Sequence, residues 1–136
     1  MLAKEYPTLI KMLARQAQAR PDQVAFTFEG KPTTFGEMWL GVNQFGSYLL
    51  DLGVQPGQTV VLAVPNSAEF FAAFYGVQRM GGIAVPLFPG SGPERIFSIA
   101  HLCDTEVVVA PSPTPQAVLE QVRSLATDHD LRVVTV

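Results

Sequence analysis

Four short runs of apolar, mostly β-branched residues recur along the second half of the chain, at 60–64 (VVLAV), 83–87 (IAVPL), 107–110 (VVVA) and 133–136 (VVTV). Stretches suited to helices separate them, at 68–80, 94–102 and 116–127. A strand that does not alternate apolar with polar positions is buried on both faces. Such strands alternating with helices predict a parallel sheet with helices on both faces, joined by right-handed crossovers.

The first half has a different texture. Leu9, Ile10, Leu13 and Ala17 fall on one face of a helix over 9–20, with Thr8 placed to cap it and Pro21 to stop it. Residues 24–28 (VAFTF) alternate at period two, turn at Glu29-Gly30 and return through 31–34, which predicts a small N-terminal β-hairpin. Thr34-Phe35-Gly36-Glu37 has the form of a capping box. Met38, Val42, Phe45, Leu49 and Leu52 then mark a long amphipathic helix, and Gly53 suits its left-handed end. The expected fold class is α/β: one partial domain over 1–136, with helix, hairpin and long helix in 1–54 and a βαβαβαβ segment in 55–136. The last run, 132–136, reads as an interior strand without a closing helix, so the expectation is a sequence cut from a larger unit.

Composition narrows the class. Of 136 residues 48% are hydrophobic and 15% charged, with mean hydropathy +0.23. The charged share is low against the usual ~25%, which leaves apolar surface without a partner in the chain and predicts self-association. A net charge of −3 provides no basic footprint for nucleic acid and no polybasic patch for a membrane surface. Cys103 alone makes no internal disulfide, the N-terminus has no signal-peptide core, and no run is long enough to span a bilayer. A cytoplasmic protein is expected.

Candidate chemistry is sparse. Asn66 or Ser67 opens the helix through Met80, as a plain cap or as an anion site at its free amides. Phe70, Phe71, Phe74, Tyr75 and Val77 read as packing, and Gly81-Gly82 as a helix end and tight turn. The sharper candidate is the loop from Phe88-Pro89-Gly90 to Ser91-Gly92-Pro93-Glu94-Arg95. It follows a strand, contains Gly-x-Gly and opens a helix, at the carboxyl side of a sheet where ligands bind. Arg95 stands where the dinucleotide fingerprint needs a third glycine, and the lysine-bearing phosphate loop of nucleoside triphosphatases is absent. His101 and Cys103 project from different faces, and His129 lies in a polar turn, so no metal site and no catalytic residue is expected.

The order of short motifs resembles the start of the adenylate-forming (AMP-binding) superfamily, of acyl-CoA synthetase or fatty acyl-AMP ligase type. The motifs are Pro21-Asp22, Thr34-Phe35-Gly36-Glu37-Met38, Leu52-Gly53-Val54-x-Pro56-Gly57-x-x-Val60, Pro65-Asn66-Ser67-x-Glu69-Phe70 and Gly76-Val77-x-x-Met80-Gly81-Gly82-x-x-Val85-Pro86-Leu87. Peptide-synthetase adenylation domains share this superfamily. The resemblance implies a parent enzyme several times longer, which joins a carboxylic acid to ATP with Mg, releases pyrophosphate and passes the acyl group to CoA or a carrier-protein thiol. It also implies that the phosphate loop, magnesium ligand and catalytic lysine lie outside these residues. The chain is then an N-terminal scaffold, inactive alone, binding no cofactor and partnered by the remainder of the ligase. In some acyl-CoA synthetases the loop corresponding to Phe88, Pro89 and Gly90 lies against the adenine end of CoA. Pro89 stands where those relatives more often have glycine. The alternative expectation is a self-standing, non-catalytic binding or assembly module of the same ancestry.

Overall fold

The computed structural model describes residues 8–88, 90–112, 116–125 and 131–136. Helix α1 spans Leu9–Ala19; the Thr8 hydroxyl accepts from the Lys11 amide at 3.2 Å, and Leu13 and Ala17 are buried. Strands β1 (Val24–Phe28) and β2 (Lys31–Thr34) pair antiparallel through a turn in which Glu29 and Gly30 both have positive φ, +48° and +77°. Helix α2 (Phe35–Asp51) starts in a complete capping box. The Glu37 amide donates to Thr34 Oγ1 at 3.2 Å, and the Thr34 amide donates to Glu37 Oε2 at 2.8 Å.

Strands β3 (Thr59–Leu62), β4 (Ile83–Pro86), β5 (Val107–Ala110) and β6 (Arg132–Thr135) form one parallel sheet in the order β4-β3-β5-β6. Helices α3 (Ala68–Arg79), α4 (Pro93–Leu102) and α5 (Gln116–Leu125) make the crossovers. Two apolar clusters divide the sheet. Val60, Leu62, Val107 and Val109 join Leu49 of α2 and Ala73 and Val77 of α3 on one face. Val61 and Val108 join Ile96 and Ala100 of α4 on the other. The valines of β3 and β5 are at most 1% exposed, as the unbroken apolar runs predict. The α/β architecture with a mostly parallel sheet, helices on both faces and a small antiparallel hairpin is the expected one.

Three helix ends share one hydrogen-bond pattern. After α2 the Gly53 amide donates to Leu50 O and the Val54 amide to Leu49 O; after α3 the Gly81 amide donates to Gln78 O and the Gly82 amide to Val77 O. These are Schellman motifs, with the left-handed position filled by Gly53 (φ +88°) and Gly81 (φ +89°). The end of α4 repeats the pattern with Asp104 (φ +52°) in that position: its amide donates to His101 O and the Thr105 amide to Ala100 O. Asp tolerates this backbone better than most side chains.

Helices α2 and α3 pack closely through small residues. A Cβ on Gly76 would lie 2.9 Å from Phe45 Cβ, and one on Gly46 would lie 3.0 Å from Gly76 O. At the exposed side of this contact Arg79 stands over the Trp39 ring, 5.7 Å from its centroid, and its Nε donates to Asn43 Oδ1 at 3.2 Å. At the amino-terminal ends of β3 and β5 the hydroxyls of Thr59 and buried Thr105 meet at 2.6 Å, and the Thr59 hydroxyl also donates to Cys103 O at 2.8 Å. Arg132 Nη1 donates to Leu52 O, tying β6 to the end of α2 across 80 positions of sequence. Among the described residues no helix is long and apolar enough to cross a membrane, and no buried side-chain polar atom lacks a partner.

Candidate functional site

The sheet order and the two apolar clusters locate a topological switch point. From β3 the chain leaves through α3, on the face of the first cluster, and returns at β4. From β5 it leaves toward α5, which packs beside α4 on the other face, and returns at β6. The two connections diverge between the carboxyl ends of β3 and β5, the place where open α/β sheets hold ligands. Pro65-Asn66-Ser67 and Pro111-Ser112 flank it. The loop carrying Phe88 and Gly90 follows the edge strand β4, on the same rim but one strand away.

At the switch point the Ser67 hydroxyl is already engaged, whereas Asn66 is exposed. Ser67 is the N-cap of α3: its hydroxyl accepts from the Phe70 amide at 3.0 Å and donates to Pro65 O at 3.1 Å. Of the two readings open in the sequence, cap or anion site, this geometry realises the cap and assigns it to Ser67 rather than Asn66. Across the rim the Ser112 amide donates to Val136 O at 2.7 Å.

The Phe88 loop is more open. The Phe88 side chain is 81% exposed, and its carbonyl accepts from the Ser91 amide at 3.1 Å and from the Ser91 hydroxyl at 2.7 Å. Gly90 adopts φ +88°, and Gly92 caps α4 without a side chain to satisfy the first amides. Pro89 lies outside the described residues, as does His129. The His101 ring stacks on Phe97 with centroids 6.1 Å apart, while half-buried Cys103 follows the helix end. Among the described residues no three His, Cys, Asp or Glu side chains gather where a metal ion would need them.

One feature escaped the sequence reading. Glu69, in the first turn of α3, borders three adjoining hollows of about 220, 200 and 320 Å³. The first runs to Phe26 and Met38, the second to Glu29 and Lys31, and the third to Phe45, Tyr48 and Val136. These residues come from the hairpin, α2, α3 and the end of β6, and only the tertiary fold brings them together. In the sequence Glu69 stands out only as a motif position, and no local pattern marks the groove. The walls of the first and third hollows are mainly apolar, which suits packing, whereas the second is lined by Glu29, Lys31, Thr33, Ser67 and Glu69.

The family model for AMP-binding enzymes matches residues 13–136. The chain belongs to this family. Bacitracin synthase 1 of Bacillus licheniformis is 27% identical over 123 residues, which is 90% of this chain and 2% of that protein. Nonribosomal peptide synthetase 8 of Aspergillus fumigatus is 31% identical over 101 residues, 74% of this chain and 1% of that protein. The crystal structure of the anthranilate CoA ligase AuaEII in complex with anthranoyl-AMP superposes with a TM-score of 0.86 at 25% identity, covering 100% of this chain and 27% of the ligase. The N-terminal domain of FACL13 from Mycobacterium tuberculosis superposes with a TM-score of 0.84 at 24% identity over 96% of this chain and 34% of that one, a likeness of fold. The chain thus has the fold of the N-terminal domain of adenylate-forming enzymes. It spans about a quarter of the ligase and 2% or less of these two peptide synthetases. Its similar sequences include peptide synthetases and its similar structures include CoA ligases, so the family assignment stands at the level of adenylate-forming ligases rather than the acyl-CoA synthetase branch.

Proposed function

We propose that residues 1–136 are the N-terminal scaffold of an ATP-dependent ligase that activates a carboxylic acid as its acyl-adenylate. In that reaction a carboxylate oxygen attacks the α-phosphorus of ATP, the bond to the β-phosphate oxygen breaks, and pyrophosphate leaves. A thiol of CoA or of a carrier protein then attacks the acyl carbon, and AMP departs with the electron pair of the broken anhydride bond. The observation that carries the reading is the family match running through residues 13–136, supported by the close superposition on a CoA ligase.

The chain's own contribution is support. The Ser67 cap, the α2–α3 contact and the two-faced sheet hold the rim on which a substrate site is built, and Phe88, Pro89 and Gly90 contribute at most an edge contact to a bound thiol substrate such as CoA. Adenylation needs several charged groups preorganised around the triphosphate and the carboxylate. The described residues present no such constellation, so residues 1–136 alone are expected to be inactive.

Carboxylate-dependent ATP–pyrophosphate exchange tests this. The 136-residue chain should show no exchange, whereas the polypeptide recovered from its source cells with an antibody against this chain should exchange with at least one acid from an amino, aryl and fatty acid panel. Exchange by the 136-residue chain would overturn the scaffold role. A native polypeptide that neither exchanges with nor binds any acid of the panel would overturn the ligase reading in favour of an assembly module.

A further inference from the structure

The β1–β2 hairpin is held in place unlike the rest of the molecule. It is a two-stranded ribbon, and among the described residues no third strand joins it. No residue of either strand is buried: Ala25, Phe26, Thr33 and Thr34 are half-buried and the others exposed. The valines of β3 and β5, by contrast, are covered on both faces. An isolated pair of strands is marginal in water, so the ribbon depends on what fastens it to the body.

It is fastened at its base and at one ring. At the base the Phe35 amide donates to Gln23 O at 3.0 Å and the Gly36 amide to Pro21 O at 2.9 Å, beside the capping box that starts α2. Further out, the Phe26 ring lies against the Phe71 ring of α3 with centroids 4.4 Å apart. Among the described residues this is the one ring contact between the hairpin and the body. Around it the fit is loose. The hollow of about 220 Å³ is bordered by Phe26 and Thr33 on the hairpin side and by Ala68 and Ala72 on the α3 side. The hollow of about 200 Å³ is bordered by Phe28 and Lys31 on one side and by Ser67 and Glu69 on the other.

We propose that the hairpin is a hinged flap: it swings on a base formed by residues 21–23 and 34–36, opens independently of the parallel sheet, and is latched shut by Phe26 on Phe71. The base is the fixed end because β2 runs straight into a fully capped helix, whereas the latch is a single aromatic pair. Opening merges the two hollows, which already share Thr33, Ala68 and Glu69, into one cleft along the start of α3. That cleft lies beside Ser67, on the rim of the switch point. Undocked, the ribbon is marginal, so its cross-strand amides exchange with solvent each time it leaves α3.

Hydrogen exchange on the native polypeptide, resolved to single amides, tests the flap. Phe28 and Lys31 close a two-residue loop and are bonded to each other, as are Phe26 and Thr33 two places further on. These amides should exchange on the order of a hundredfold faster than those of β3 and β5, yet on the order of tenfold or more slower than unstructured reference amides. Protection equal to that of β3 and β5 overturns the flap. Exchange at reference rates overturns it too, since no closed state would then be held. Phe26→Ala tests the latch: exchange at Phe28, Lys31 and Thr33 should rise about tenfold while β3 and β5 stay within about twofold. Phe28→Ala is the control, because it removes an aromatic ring from the same face of the same strand but one without a ring contact to α3. It should change the hairpin rates by less than about threefold. Equal acceleration by the two variants, or acceleration of β3 and β5 by Phe26→Ala, overturns the latch.

Discussion

Gly76 is set by what stands opposite it. A methyl group there would lie 2.9 Å from Phe45 Cβ and 3.1 Å from Val42 O, so the helices must part to admit it. Gly76→Ala is expected to lower stability by about 1–3 kcal/mol, the usual range for overpacking, seen as a lower urea midpoint with unchanged slope. Ser67 is set by local chemistry instead. Ser67→Ala leaves the Phe70 amide without its side-chain acceptor and should cost about 1 kcal/mol. Because that hydroxyl is already committed to its own helix, the same change should leave the ATP KM of the native polypeptide within about twofold, well below the tenfold that 1.4 kcal/mol would give. A large rise in KM would instead make the α3 N-terminus a phosphate contact.

Elements differ in how much of their stability is their own. Helix α2 has a complete capping box and a Schellman end, both written in its local sequence. Strand β3 has neither a cap nor alternation and depends on burial at both faces by elements distant in the chain. Val61→Ala should accordingly cost about 1–3 kcal/mol, through lost transfer free energy and the cavity left between β3 and α4, as measured by chemical unfolding. The polar bond from Arg79 to Asn43, with the cation over Trp39, joins α2 to α3 at an exposed site, where about 0.5–1 kcal/mol is expected.

At the scale of the molecule the open edge and the low charge act together. With 15% charged residues and an outer edge of β6 that no described strand pairs, the 136-residue chain is expected to associate as its concentration rises, giving a weight-average mass in sedimentation equilibrium above that of one chain. A single-chain mass across a wide concentration range would show that the exposed backbone is tolerated without a partner.

The sequence alone determined the elements and their order. Apolar runs at 60–64 and 107–110 mark β3 and β5 because a strand covered on both faces needs no polar positions. Thr34-Phe35-Gly36-Glu37 and Gly53 bound α2 because capping acts within a few residues. The family likeness was legible for the same reason: its motifs lie mostly at turns and caps, where one residue type fits each backbone position. Asp104 shows the limit even there, since its left-handed conformation was not read from a residue less distinctive than glycine. What tertiary structure decided is adjacency. The order β4-β3-β5-β6 puts the switch point at Ser67 and Ser112 rather than at the Phe88 loop, and no local pattern specifies which strand neighbours which. The groove beside Glu69 draws on residues from Phe26 to Val136. Caps and burial patterns are short-range and leave traces in sequence, whereas pairing and facing arise only when the whole chain has closed on itself.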